Sequence, residues 1–289
     1  MDLSTLGVFA FLDGLNGPQV TQFARKVEQW GYSVLWFAEG MGREAFTLAA
    51  HLLSHTDKLI VATGIAVVFK REAAASWGAA KTLAELYGDR FILGLGVSAP
   101  AANARRGIPY ERPYSFMQAY LAKMKSLPYL APAPAQDPPI VLAALKPRML
   151  HLAATDTHGT HTYFMPPEQT AMARAAIGPD KWLCAEQAVL LEPDPAQARE
   201  AARKYMNFYL QGPHYTATLR TVGFTEADFA NGISDRLVDA VVAWGNEEAL
   251  RQRITAQYQA GASHVCILPL SPDGSTLPNE RTLETLAPR

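Results

Sequence analysis

The chain has 289 residues, 49% of them hydrophobic and 18% charged, with a formal net charge of -1. It can bury a large core, yet its balance of charge excludes a sequence-independent grip on nucleic acid or an anionic membrane. Its two cysteines, Cys184 and Cys266, each lie in an apolar run and read as small core hydrophobes, not as a disulfide or metal framework. The N-terminus lacks a basic leader and no apolar run reaches the length of a membrane span, so a soluble cytoplasmic protein with a small-molecule ligand is expected.

In chain order, apolar runs that fit buried strands occupy residues 5–11, 33–38, 59–68, 91–97, 140–144, 159–164, 184–191 and 264–268. Helical spacing falls between them. At 18–30, Val20, Phe23, Ala24, Val27 and Trp30 share one face, with Pro18 suited to the first turn and Gly31 to the exit. Further helices are predicted at 44–54, 71–86, 114–127, 147–154, 166–177, 195–210 and 247–260, and the eighth strand is followed only by a short tail. Eight strands with right-handed helical crossovers close into a (β/α)8 TIM barrel or open into a doubly wound sheet. The barrel is favoured, because the turn at 13–17 lacks the glycine fingerprint of a nucleotide-binding sheet. The chain reads as one domain, 1–289, with insertions after strands four (98–139) and seven (210–245).

Gly94 and Gly96 project to one side of the fourth strand, which marks close approach by another backbone or a flat ligand, or else interior packing. Barrel sites lie at the C-terminal strand ends, and the residues there are mostly small, apolar or aromatic. That lining suits a broad planar ligand better than an acid/base pair. No zinc spacing or Gly-x-Ser-x-Gly elbow is present, and His51 and His55 read as a helix-surface pair. Glu39 emerges from an apolar strand and needs either a ligand or an arginine partner. His161, Thr162 and Tyr163 lead into a helix start whose free amides, with Gln169 and the Thr170 hydroxyl, suit either an anion or plain capping. Phe11, Tyr110 and Tyr114 are candidates to shape a substrate pocket.

WGYSVLWFAE, ATGIAVV, TLAELYGDRFILGLGVS, PPIVLAALKPRMLHLAA, DTHGTHTYFMPPEQT and the closing LVDAVVAWGNEEALRQRITAQYQAGASHVCILP together resemble the luciferase-like flavin and deazaflavin oxidoreductases. The TGIAVV and HTYFMPPEQT wording is most similar to the branch dependent on coenzyme F420. The resemblance implies a TIM barrel with a deazaflavin ring across its mouth, backed by a bulge, often with a non-prolyl cis peptide, at the end of strand three. That places Gly64, Ile65, Ala66 and Val67 behind the ring. Ser98, His161, Thr162 and Tyr163 would then approach the ring or its phosphate, and Glu39 the ring's rim. The implied reaction is hydride transfer to or from a small organic substrate, with dimerisation through the helices after strands two and three.

Two departures stand out. Where many relatives carry histidine, this chain has Gly40 after the strand-two glutamate and Ala99 after Ser98. His161 remains as the imidazole candidate near the mouth. The alternatives are an FMN-dependent monooxygenase on the same barrel and a barrel that binds flavin or deazaflavin without turnover. A phosphate-binding lyase would need a lysine or carboxylate inside a strand, and the interior runs are read as offering none.

Overall fold

A computed structural model describes residues 1, 3, 5–126, 128–230 and 232–288. Among them lie ten strands: β1 (Gly7–Ala10), β2 (Val34–Phe37), β3 (Ile60–Thr63), β4 (Ala66–Val67), β5 (Phe91–Gly96), β6 (Ile140–Ala143), β7 (Gly159–Thr162), β8 (Trp182–Leu191), β9 (Val242–Gly245) and β10 (His264–Pro269). The parallel order β10-β1-β2-β3-β5-β6-β7-β8 closes through β10 and β8, where His264 pairs with Cys184 and Pro269 with Val189. This is the TIM barrel, with the eight expected strands as its staves.

Alternation along each stave divides the core in two. Phe9, Val34, Trp36, Ile60, Ala62, Ile92, Val141, Cys184 and Cys266 fill the barrel interior. Val8, Leu35, Val61, Leu93 and Leu142 turn outward against the helices. The first helix, Gly17–Gln29, buries Val20, Phe23, Ala24 and Val27, and begins with a capping box between Asn16 and Gln19. At the barrel floor His264 accepts from the Trp36 indole (3.1 Å) and its Nδ1 lies 3.0 Å from the Leu3 carbonyl.

Four features differ from the sequence reading. The run 59–68 is not one strand: it breaks after Thr63 and resumes as β4, which pairs with β5. The helix expected at 114–127 spans Pro113–Ser126, and Leu127 lies outside the described residues. The eighth stave ends in more than a tail, since Asn279 caps a helix over Glu280–Leu286. Within the insertion after β8, helix Asp235–Val241 runs directly into β9, which pairs Val242–Gly245 with Ala188–Leu191.

The cysteines are unpaired and buried. His51 and His55 stack at 4.3 Å between ring centroids; His51 meets Thr21 at 2.8 Å and His55 meets the His51 carbonyl. No described helix is long and apolar enough to cross a membrane.

Candidate active site at the barrel mouth

The break between β3 and β4 builds one wall of the mouth. Here the Gly64–Ile65 peptide is cis. Gly94 and Gly96 exist because of it: a Cβ on Gly94 would stand 1.8 Å from the Thr63 carbonyl oxygen, and one on Gly96 would stand 2.6 Å from Ile65 Cγ1. The Thr63 hydroxyl also donates to the Gly94 carbonyl (2.8 Å) and accepts from the Gly94 amide (2.9 Å). At Gly94 close approach by another backbone is the reading observed, whereas Gly96 gives room to the packed side chains of Ile65 and Ala143. Ala66 and Val67 are buried in β4, while Ile65 is half-buried at the rim.

Glu39 anchors this wall. Its side chain is fully buried; Oε2 accepts from the Val67 amide (2.7 Å) and from Arg71 (3.0 Å), and Oε1 pairs with Arg71 and with Lys70 at 3.3 Å. Both carboxylate oxygens are therefore committed to protein donors, and Arg71 extends the network to Glu44. Of the two readings of Glu39, the arginine partner is the one present, and the carboxylate also serves the Val67 amide that the bulge leaves to be satisfied from the side. Gly40, which stands in place of an imidazole, fits the same economy of space. A Cβ there would meet Asp13 Oδ2 at 2.8 Å, and its carbonyl accepts from both Lys70 and Arg106 at 2.8 Å.

His161 is a correction. It points into the barrel interior, with its ring 4.6 Å from that of Trp36, 5.7 Å from that of Phe9 and Nε2 3.5 Å from the Cys266 sulfur. Burial, then the neighbouring His264, push its pKa down to about 3. An imidazole packed among aromatic rings and kept neutral lacks the imidazolium form that serves as a general acid at neutral pH. Tyr163, two residues further along the same inward column, is the residue at the rim. Its ring lies 5.2 Å from Phe9, and its hydroxyl meets those of Tyr209 (2.7 Å) and Tyr205 (3.1 Å).

The helix start after β7 also departs from expectation. Thr170 is wholly buried and donates to Gln257 (2.7 Å), whose own amide donates to Gln187 (2.9 Å). This amide network takes up the hydroxyl that an anion would need. Thr162 Oγ1 and Gln169 Oε1 are buried without a hydrogen-bond partner among the described residues. Ser98 and Phe164 close their strands at φ of 60° and 63°, a region uncommon for side chains other than glycine and enriched at working sites. Tyr110 lies against Phe69 (5.7 Å) with its hydroxyl 3.4 Å from the Ser98 carbonyl oxygen, and Phe11 meets Phe9 edge-on at 5.7 Å. Tyr114 packs against the layer between staves and helices, under the Arg148 guanidinium at 4.1 Å.

Glu186 stands among the strand-end residues of the sequence, but sequence reasoning gave it no role. It occupies an inward position of β8, in register with Cys266, so the interior runs do hold a carboxylate. It is buried: Oε2 accepts from the Phe164 amide (2.8 Å), and Oε1 has no partner among the described residues. Burial raises its pKa to about 8, with the Phe164 amide opposing the rise. Around it the rings of Phe164, Tyr163, Tyr205, Tyr209 and Tyr215 form one cluster, with centroids 4.9–6.4 Å apart in the pairs that touch. Tyr205 and Tyr209 stand four apart on helix Pro195–Leu210 and so share a face. That spacing and the acidic residue inside LCAEQAVLL were both legible signals.

These buried groups make stability depend on pH in opposite directions. His161, and His264 at about 4, stay neutral in the fold while the unfolded chain protonates below about 6.5. Their stabilising effect is complete above that value and is lost as pH falls. Glu186 stays protonated in the fold while the unfolded chain ionises above about 4.5, so its cost grows as pH rises toward about 8. From these three groups, stability is expected to peak near pH 6.5 and to fall by about 3 kcal/mol at pH 4 and about 1 kcal/mol at pH 8. Urea denaturation across that range measures it, and a maximum at pH 9 would contradict it.

The luciferase-like monooxygenase family model matches residues 13–264. A 5,10-methylenetetrahydromethanopterin reductase of Methanolobus tindarius is 24% identical over 223 residues, covering 67% of this chain and 68% of the reductase. Among solved structures, an F420-dependent secondary alcohol dehydrogenase in complex with an F420-acetone adduct superposes with a TM-score of 0.79 at 14% identity, covering 99% of this chain and 97% of its own. A type II Baeyer–Villiger monooxygenase of Pseudomonas putida in complex with FMN shares the fold too, with a TM-score of 0.70, 14% identity and coverage of 99% and 97%. With the model spanning most of the barrel, the chain belongs to the luciferase-like monooxygenase family.

Proposed function

We propose that this protein is a coenzyme F420-dependent oxidoreductase that moves a hydride between the deazaflavin and a small organic molecule. The observation that carries this reading is the bulge at Gly64–Ile65, held by Glu39 and seated against Gly94 and Gly96. It gives the mouth a fixed, apolar wall against which a planar ring can lie. The sequence likeness, 23% identity over 88% of this chain, to a Mycobacterium tuberculosis protein named for dependence on coenzyme F420 supports deazaflavin over flavin.

The residues present fit such a cofactor. Ile65 offers an apolar face at the rim, and the Thr162 hydroxyl and Gln169 amide are buried polar groups with capacity to spare for its polar tail. When bound, the cofactor supplies hydride chemistry at C5 of its ring. The protein's part is position and exclusion of water. Glu39 fixes the wall through the Val67 amide, Ser98 and Tyr110 close the rim on the side of β5, and the tyrosine cluster covers the side of β8. The FMN monooxygenase reading rests on the family model and the shared fold.

Turnover tests the proposal. Incubated with reduced F420 and a panel of carbonyl, imine and enone compounds, the protein is expected to restore the oxidised deazaflavin absorbance with at least one. Oxygen-dependent product formation with reduced FMN, and none with F420, would overturn it.

A further inference from the structure

The eight staves place β8 four steps from β3, so Glu186 stands on the stave opposite the one that leads into the Gly64–Ile65 wall, at an inward position. We propose that Glu186 holds the proton of the reaction, and that its partnerless Oε1 meets the oxygen or nitrogen of a neutral carbonyl or imine substrate lying between it and that wall. The inference rests on the hydride-transfer reading above.

Three observations carry it. Glu186 Oε1 is buried and unpaired among the described residues while Oε2 is fixed by the Phe164 amide, so the carboxyl is oriented with one oxygen in reserve. A buried polar atom left unmatched costs about 1–3 kcal/mol, which a ligand can recover. The groups facing Glu186 are Tyr163 on the chain after β7, Cys184 and Cys266 inside the barrel, and Tyr205, Tyr209 and Tyr215 from the insertion helices. All are neutral at pH 7, and no cation among the described residues stabilises a carboxylate there. The acid form is therefore the resident form. An anionic substrate would find no counter-charge on this side, whereas a neutral acceptor atom flanked by apolar surface matches the rings.

The step balances as follows. In the reducing direction the substrate carbon gains the hydride from the reduced deazaflavin, the C=O or C=N π pair takes the Glu186 proton, and the carboxylate left behind is reprotonated by water. In the oxidising direction the carboxylate takes the proton from the alcohol or amine. Reduction is thus expected to need the acid form, present below about pH 8 and lost above it.

The test compares the wild-type protein with E186Q, which keeps shape and neutrality, and with E186D, which keeps the acid. Infrared spectra of the unliganded proteins at pH 6 are expected to contain a protonated carboxyl band that E186Q removes and that titrates near pH 8. With F420 loaded, E186Q is expected to lower kcat roughly 100-fold and to lose the alkaline fall in rate, with deazaflavin Kd changed less than threefold, and E186D to recover part of the rate. Deazaflavin binding with E186Q within fivefold of wild-type kcat, or no Glu186 carboxyl band at pH 6, would overturn this proposal alone. Absence of any deazaflavin binding to the wild-type protein would instead overturn the functional reading, and the substrate step with it.

Discussion

Replacing Gly94 by alanine is expected to prevent folding or to destabilise the protein by more than about 4 kcal/mol, at the upper end of what single substitutions do. The new methyl would lie 1.8 Å from the Thr63 carbonyl oxygen, a backbone atom with no rotamer to escape through. The Thr63 side chain bonds both the amide and the carbonyl of Gly94, so β3 cannot move away without breaking those contacts. Soluble yield and urea denaturation of Gly94→Ala give the result. Gly78 is the control, because it sits inside helix Ala73–Tyr87 with nothing within 4 Å of an added Cβ. Gly78→Ala is expected to be neutral or to stabilise by about 0.5–1 kcal/mol. Equal tolerance at both positions would contradict the packing described for the bulge.

Glu39→Ala is expected to cost about 3–5 kcal/mol, the range seen when one partner of a buried ion pair is removed. It strands the Arg71 guanidinium and leaves the Val67 amide without its acceptor. It also frees the wall against which, in the function proposed, the deazaflavin ring would lie, so deazaflavin affinity is expected to fall at least tenfold. Because Arg71 shares the network, Arg71→Ala added to Glu39→Ala is expected to cost less than the sum of the two single changes. Urea denaturation and cofactor titration of the two single variants and the double variant measure both effects. Full additivity with unchanged affinity would remove Glu39 from its place as anchor.

The barrel was legible because parallel strands buried on both faces appear as continuous apolar runs, and helical spacing separates them. The same property hid its defects. In 59–68 every residue is apolar, small or a threonine, so no periodicity marks where β3 breaks; Gly64 was the sole local sign. β9 was missed because helix Asp235–Val241 passes into it with no glycine, proline or polar turn between them.

For the site, residue type was easier to read than height within the barrel. His161 and Tyr163 point the same way, but the stagger of the staves puts the first among the interior rings and the second at the rim. Glu39 and Glu186 pose one question to a reader of the sequence, namely what a carboxylate is doing in an apolar strand. Glu39 is answered by Arg71 and Lys70, one turn beyond the bulge. Glu186 has no such partner among the described residues, and only three-dimensional closure sets its stave opposite β3 and brings it beneath tyrosines supplied from 205–215. Thr170 shows the reverse: a hydroxyl at a helix start suggests an anion, but its use is fixed by Gln257, 87 residues away in the chain.

In the function proposed, the mouth of this barrel is built for a deazaflavin ring. Titrating the wild-type protein with coenzyme F420 and separately with FMN, by quenching of tryptophan fluorescence, tests it most directly. Saturable binding of F420 at least tenfold tighter than FMN is the result expected. Tighter binding of FMN, or no binding of either, would contradict it.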